Sequence, residues 1–412
     1  MIHSSMYEPK LSPIYVDTPD IDLDRIQDLT ATLTMNRTKV DEIGRIGIVG
    51  WRQLTPSVTV SMKQLEYGNM LTYVNLANKG PQSTQVSLTD FKASAFDIMA
   101  FATNDSGVFL GTIMYPRLRL SGFTINISDP MQVIERTFNF VGEDEISFEN
   151  NSAYVVRQRY VAPGNQTANA SATFTINSPT PQPDPDNSGK FIFRVVRTSA
   201  NIPTVGTTLS NELNWGTDWS YDGVSQLTIN NAYAGDVFWV WYAASSYLPG
   251  VNIFTYNNTD VPVLTAECAS IFLGNGEYVY RLQSVSIDST LNRKDIREIG
   301  NYSIVSEGVD DYNTKVTLGR VLETFTVEEF LRGVGTGTGQ KLDPRKFQSN
   351  FALYVNIYSA NTKLPSQYKM SYVCTDLAPT KMDTGSTVQQ YVTAGNTLEG
   401  QTLFITNNIA IV

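Results

Sequence analysis

The side chains that most often do chemistry near neutral pH are scarce in this sequence. Its 412 residues include one histidine, His3, and two cysteines, Cys268 and Cys374, outside any Cys-x-x-Cys spacing. Histidine is the usual acid/base group near pH 7 and the commonest metal ligand. With one copy near the chain start, neither a Ser-His-Asp or Cys-His site nor a histidine-built metal centre is expected. The cysteines read as two reduced, packed thiols. Carboxylate chemistry survives this count, because a glycosidase pair or a Mg or Ca site needs only Asp and Glu. The chain has 40 of these against 30 Lys plus Arg, a net charge of −10. Asp17, Asp20, Asp22 and Asp24 lack the glycine and closing Glu of a calcium loop and read as a solvated acidic arm. Glu143-Asp144-Glu145 reads as an acidic turn. No Gly-Lys-Ser/Thr follows the glycine-rich Gly333 to Gly339, so it reads as a loop and not a phosphate cradle. Trp215, Trp219, Trp239 and Trp241 could stack a sugar, but Trp239 and Trp241 share one strand face and read better as buried. No catalytic, cofactor-binding or metal-ligating residue is expected, and the chain reads as non-enzymatic.

The elements that would position any site are strands. Hydrophobic residues make up 42%, enough for real cores, while only 17% are charged. Ser, Thr, Asn and Gln supply the remaining polarity, which favours half-buried strands over salt-bridged helices. No stretch reaches the roughly 18 apolar residues of a membrane span, and the first ten residues lack a signal peptide's apolar core. A soluble protein made in a cytoplasm, without a membrane partner, is expected. Its acidity argues against tight binding to nucleic-acid phosphates.

An internal repeat organises the chain. Residues 27–44, QDLTATLTMNRTKVDEIG, match residues 283–300, QSVSIDSTLNRKDIREIG, at a constant offset of 256. The identities include Asn36/Asn292, Arg37/Arg293, Glu42/Glu298 and Gly44/Gly300. Each copy opens on an alternating strand, with Leu29, Ala31, Leu33 and Met35 on one face and Thr30, Thr32, Thr34 and Asn36 on the other. A loop, a second alternating strand (Val58, Val60, Met62; then Val316, Leu318) and a short helix follow. The second helix opens on the capping box Thr326-Val327-Glu328-Glu329. Copy one is expected to add a helix over 87–102, with Phe91, Ala95, Ile98 and Met99 on one face. Each Arg of the repeat motif, Arg37 and Arg293, is expected to pair with a nearby carboxylate such as Glu42 or Glu298.

These patterns predict an all-β protein with a few short helices: two tandem β-sandwich or barrel domains plus an inserted small β domain. The expected division is an arm at 1–20, a first β domain at 21–150, an inserted β domain at 151–260 and a second β domain at 261–412. The first β domain with its arm carries 12 basic and 18 acidic residues, the second 13 and 15.

The doubled strand–Asn-Arg-x-x-Val/Ile-x-Glu-Ile-Gly–loop–strand–helix unit resembles the tail tube (major tail) proteins of long-tailed bacteriophages. The resemblance implies a virion protein that assembles with itself into stacked rings, forming a hollow tail tube through which DNA is ejected. With two copies per chain it implies rings of three chains with pseudo-sixfold symmetry. It further implies assembly in the host cytoplasm and partners among tail terminator, tape measure and distal tail or baseplate proteins. Genomic DNA would pass the lumen without specific binding. Axial contacts between rings are expected from the arm and from the first loop of each copy: Arg45, Trp51 and Arg52 in one, Tyr302, Glu307, Asp310 and Asp311 in the other. A different class, a virion or cell-surface adhesin binding carbohydrate through the middle β domain, is the alternative.

Overall fold

A computed structural model of the protein describes residues 7–14, 17, 19–23, 25–40, 50–53, 56–80, 82–92, 94–104, 108–129, 131–142, 144–149, 154–164, 166–167, 169–176, 178–183, 191–198, 212–249, 263–296, 306–322, 324–332, 345, 347, 349–386 and 391–408. The fold is all-β, with two short α-helices, Leu71–Leu76 and Thr326–Leu331, among the described residues. The chain divides into two compact units: residues 1–23, 95–118 and 142–258, and residues 24–94, 119–141 and 259–412. The long strand Phe109–Ser128 runs through the division.

In the first unit, strand Tyr7–Pro13 pairs antiparallel with Phe96–Thr103, which pairs with the first half of Phe109–Ser128; Ile146–Glu149 pairs with that same half. The middle segment forms two three-stranded sheets. One is Tyr154–Val161, Val237–Ala244 and Ile192–Arg197; the other is Ala170–Thr175, Gln226–Ala232 and Trp219–Tyr221. Val156, Phe174, Trp219, Leu227, Phe238 and Tyr242 pack into one core drawn from both sheets. Val155, Val196, Trp239 and Trp241 join Ile14, Met99 and Phe101 in a second core, as side-chain alternation along each strand requires.

Two expectations are corrected here. Residues 87–102 are not one helix: a 3-10 turn, Leu88–Phe91, precedes strand Phe96–Thr103. This strand is buried on both faces, so its nearly continuous apolar run carries no period-2 signal. The acidic arm is not merely solvated. Asp17 accepts two hydrogen bonds from Arg159 (2.6 and 2.7 Å) and one from Trp239 Nε1 (3.2 Å). Asp20 accepts one from Arg157 (2.9 Å), and Asp22 accepts from Lys10. Arg157 is itself buried, 3.6 Å from the Trp239 ring centroid and bonded to the Pro13 carbonyl at 2.6 Å. The cross-strand pairs Arg157/Trp241 and Arg159/Trp239 build this anchor for the arm.

The hydrogen bond from Arg159 holds the Asp17 carboxyl below the usual carboxylate range, despite partial burial. A depressed folded-state pKa stabilises the fold above the unfolded value of about 3.9, and that contribution disappears as pH falls through the folded value. Asp17→Asn is therefore expected to lower stability at pH 7 and to flatten part of the decline below about pH 4. Thermal unfolding of both proteins across pH 2–7 checks this; parallel curves would contradict it.

Candidate assembly surface

The second unit contains an antiparallel sheet of eight strands. From one edge the order is Ile26–Thr34, Ser57–Leu65, Glu135–Gly142, the second half of Phe109–Ser128, Leu282–Ile296, Ser306–Val321, Thr393–Gly400 and the second half of Tyr368–Gly385. The sequence repeat appears in its register. Leu29 faces Met62 and Val285 faces Leu318; Ala31 faces Val60 and Ile287 faces Val316. All four positions carry the offset of 256, and both hairpins are bulged at the same place, between Ile26 and Asp28 and between Leu282 and Ser284. Strand order repeats too. Each half runs opening hairpin, then Glu135–Gly142 or Thr393–Gly400, then a long strand with one extra residue at the equivalent place, Ser121 or Thr380.

The halves meet where the long strand of copy one pairs with the opening strand of copy two, Ser284 to Thr290 against Ser128 to Gly122. At this joint a Cβ on Gly122 would lie 2.5 Å from the Ser289 carbonyl oxygen. Burial responds to the joint. Val285 and Ile287 are buried, whereas their counterparts Leu29 and Ala31 are half-exposed, because among the described residues no further strand lies beyond Ile26–Thr34. At the opposite edge Lys381, Asp383 and Thr384 are exposed. Among the described residues the sheet is thus open at both sides, with backbone groups along each that no described strand pairs.

Its two faces differ. Val60, Met62, Phe123, Ile125, Ile287, Val316, Leu318 and Leu398 are buried on one. The other carries mostly hydroxyls and amides, including Thr30, Thr32, Thr59, Ser61, Thr124, Asn126, Ser286 and Thr317, all exposed or half-exposed. On it the carboxylates Asp28, Glu135, Asp288, Asp383 and Glu399 outnumber the cations Lys63, Arg119, Lys315 and Lys381. Lys63 lies opposite Asp28 and bonds Glu135 at 2.8 Å; Lys315 lies opposite both Asp288 and Glu399.

Buried polar groups lock the helices to the sheet. Arg136 Nε donates to Gln64 (2.9 Å), and its Nη1 reaches Glu66 at 3.3 Å with both side chains fully buried. Tyr372, from copy two, donates to the same carboxylate (2.6 Å) and lies 3.0 Å from the Tyr73 hydroxyl. Burial pushes the Tyr73 phenol up to about 12 and Tyr372 well above its ordinary value. In copy two, Arg320 pairs with Glu328 of the helix, so that acid forms an ion pair and no side-chain cap is made. These positions correspond to Gln64 and Thr72 at the 256 offset. Cys268 and Cys374 are free and buried.

The motif residues are only partly brought together. Glu42, Gly44, Arg45, Glu298, Gly300 and Tyr302 lie outside the described residues. Asn36 is half-exposed just past the end of its strand, and Arg37 pairs in register with Gln53. Arg293 donates to the carbonyls of Leu120 (2.6 Å), Phe91 (2.8 Å) and Lys92 (3.2 Å), while Glu298, the carboxylate expected beside it, lies outside the described residues. A bulge at Asn292/Arg293 accompanies this, and the carbonyls of a 3-10 turn's end need donors. Trp51 is 57% exposed, in register with Lys39, and Arg52 is in register with Thr38. Glu307 lies opposite Asp295, Asp311 lies opposite Asn292, and Asp310 pairs with Lys294. Sequence reading missed the joint and the Arg136 cluster; the doubled hairpin was the signal for the first.

No protein family matches the sequence, and no curated protein matches it. Among solved structures, the chain is similar to a protein of the anti-feeding prophage baseplate (11% identity, 36% of this chain and 96% of that one, TM-score 0.27). It is also similar to Dit of phage SPP1, a hub protein of the adsorption apparatus (9% identity, 57% and 98%, TM-score 0.16).

Two substitutions test the sheet. Arg136→Ala leaves Glu66 buried and unpaired, and is expected to cost about 3–5 kcal/mol. Gly122→Ala forces the joint apart, at about 1–3 kcal/mol. Urea denaturation measures both; losses below about 0.5 kcal/mol, the level of an ordinary surface change, would contradict these roles.

Proposed function

We propose that the chain is a structural subunit of a bacteriophage virion, and that copies of it close into rings that stack into a hollow tail tube for DNA ejection. The observation that carries this reading is the internal joint. Two homologous halves are already paired side by side in one chain, and the same two kinds of edge are left open at the ends. Pairing Ala378–Gly385 of one chain with Ile26–Thr34 of the next repeats the joint between molecules. Cyclic repetition leaves no edge unpaired, and three chains supply six similar halves. The apolar face is covered within each chain, so the hydroxyl face would line the lumen. Its surplus carboxylates repel DNA phosphates, and its short neutral side chains hold nothing tightly.

Assembly would take place in the host cytoplasm, and the product would be the tail of the virion. Tail terminator, tape measure and distal tail or baseplate proteins would meet the ends or fill the bore. The segments around Arg45–Pro56 and Asn301–Asn313 would make contacts along the tube axis. The carbohydrate-binding alternative loses its tryptophan platform, since Trp219, Trp239 and Trp241 are buried and only Trp215 of the four is exposed.

Transposing the joint gives the register between chains. Asp288 lies opposite Thr124 there; the corresponding positions are Thr32 and, counted from the shared bulge, Asp383. A chain carrying Thr32→Cys and Asp383→Cys, treated with a short bis-maleimide, is expected to cross-link between chains up to a closed trimer by native mass spectrometry. A monomer that yields only uncross-linked chain would overturn the reading.

A further inference from the structure

The second unit also holds a smaller antiparallel sheet: Ala269–Leu273, Phe351–Tyr358, the first half of Tyr368–Gly385, Thr402–Thr406 and Gln85–Ser87. Its register sorts the side chains into rows. Ile271, Val355, Tyr372, Ile405 and Val86 lie opposite one another and are buried, so their face is the core. The neighbouring row, on the other face, is Ser270, Asn356, Ser371 and Thr406. A non-core face of Ser, Asn and Thr is ordinarily wet, yet all of these are buried. Tyrosines lie over them. The Tyr368 hydroxyl is 2.8 Å from the Ser371 hydroxyl, and the Tyr358 hydroxyl is 3.5 Å from Asn356 Nδ2. Above the row is a cavity of about 230 Å³, lined by Ser270, Phe272, Tyr278, Tyr358 and Tyr368, with Lys363 from the turn that follows Phe351–Tyr358.

The cavity walls are held in place. Phe272 stands edge-to-face on Tyr278 (5.5 Å) and Tyr358 on Tyr368 (6.0 Å). Gln367 ties the turn: its side-chain oxygen accepts from the Thr362 hydroxyl (2.5 Å) and the Leu364 N–H (3.1 Å), and its carbonyl accepts from the Ser359 N–H (2.8 Å). A filled cavity therefore has little side-chain freedom left to lose. Three polar groups remain open. Among the described residues, the Ser270 hydroxyl, the Tyr278 hydroxyl and Lys363 Nζ have no hydrogen-bond partner, and no carboxylate reaches Lys363. Burial lowers the pKa of this half-buried amine, against the pull of Cys268 and Glu267. Such a cation gains a strong bond from an anion that comes into contact. Several aromatic walls with a few convergent polar groups are the make-up of a small-molecule site, here with room for one ring and not for a chain. One cation with two hydroxyls suits a carboxylate better than a phosphate, which asks for more donors. We propose that this cavity binds a small carboxylate carried on a single ring, with the carboxylate on Lys363 and the ring against the aromatic walls. The site lies within one unit of one chain, and does not depend on the closure of chains into rings.

The test is titration of the full chain with two acids, benzoate and glucuronate, each beside its uncharged counterpart, benzamide or glucose, followed by saturation-transfer NMR and calorimetry. At least one acid is expected to bind with a Kd of about a millimolar or tighter, and its neutral counterpart at least about tenfold more weakly. Preference for benzoate identifies a free aromatic acid as the source, and preference for glucuronate an acidic sugar. Lys363→Met, which keeps the length of the side chain and removes its charge, is expected to abolish the preference for the acid. Binding of neither acid, or equal binding of acid and neutral counterpart, would overturn the proposal. Both comparisons use the unsubstituted chain alone, so they hold even where the variant fails to fold. A folded Lys363→Met chain that keeps the full preference would overturn it as well.

Discussion

An antiparallel sheet must end somewhere, and its last strands present N–H and C=O groups with no partner. Every feature of this molecule's larger sheet follows from how that constraint is met. Within the chain it is met by duplication, as copy two's opening strand covers the long strand of copy one from Ser128 to Gly122. At the ends no described strand meets it. Ile26–Thr34 and Ala378–Gly385 have one neighbour each in the sheet they share, and the half-exposed Leu29 and Ala31 show what the missing strand leaves uncovered. Proteins that stay monomeric blunt such edges with charge or proline, yet Asp28 is the only charged residue in Ile26–Thr34. The second edge carries Pro379, Lys381 and Asp383, which restrict indiscriminate pairing more than the first edge does.

The interior is built to keep this sheet rigid. Arg136, Glu66, Gln64, Tyr73 and Tyr372 tie strands and a helix of copy one to a strand of copy two with fully buried polar contacts. Such clusters add little net stability compared with apolar packing, but any misplacement leaves a charge unsatisfied. They therefore favour one relative placement of the two halves. The long strands add to this. Tyr368–Gly385 pairs with Phe351–Tyr358 over its first part and Thr393–Gly400 over its second, so one backbone serves two sheets.

Much of this was legible in the sequence, for a physical reason. Thr30, Thr32 and Thr34 alternate with Leu29, Ala31 and Leu33 because one face is wet and the other packed, and the 256 offset exposed the second hairpin through the first. What escaped notice lacked such a signature. Phe96–Thr103 is buried on both faces, so its run of apolar residues passed for a helix stripe. The partners of Arg293 depend on a bulge, and those of Asp17 and Asp20 on strands more than a hundred residues away. No local pattern reports either.

Amide hydrogen exchange, followed residue by residue in the monomer and in the assembled particle, tests the central claim most directly. Unpaired edge amides exchange freely, and strand pairing protects them. The account requires that assembly protects amides in both Ile26–Thr34 and Ala378–Gly385, to the level of Ser284 to Thr290, which pairs on both sides within the chain. Assembled particles in which both edges exchange as fast as in the monomer would contradict it.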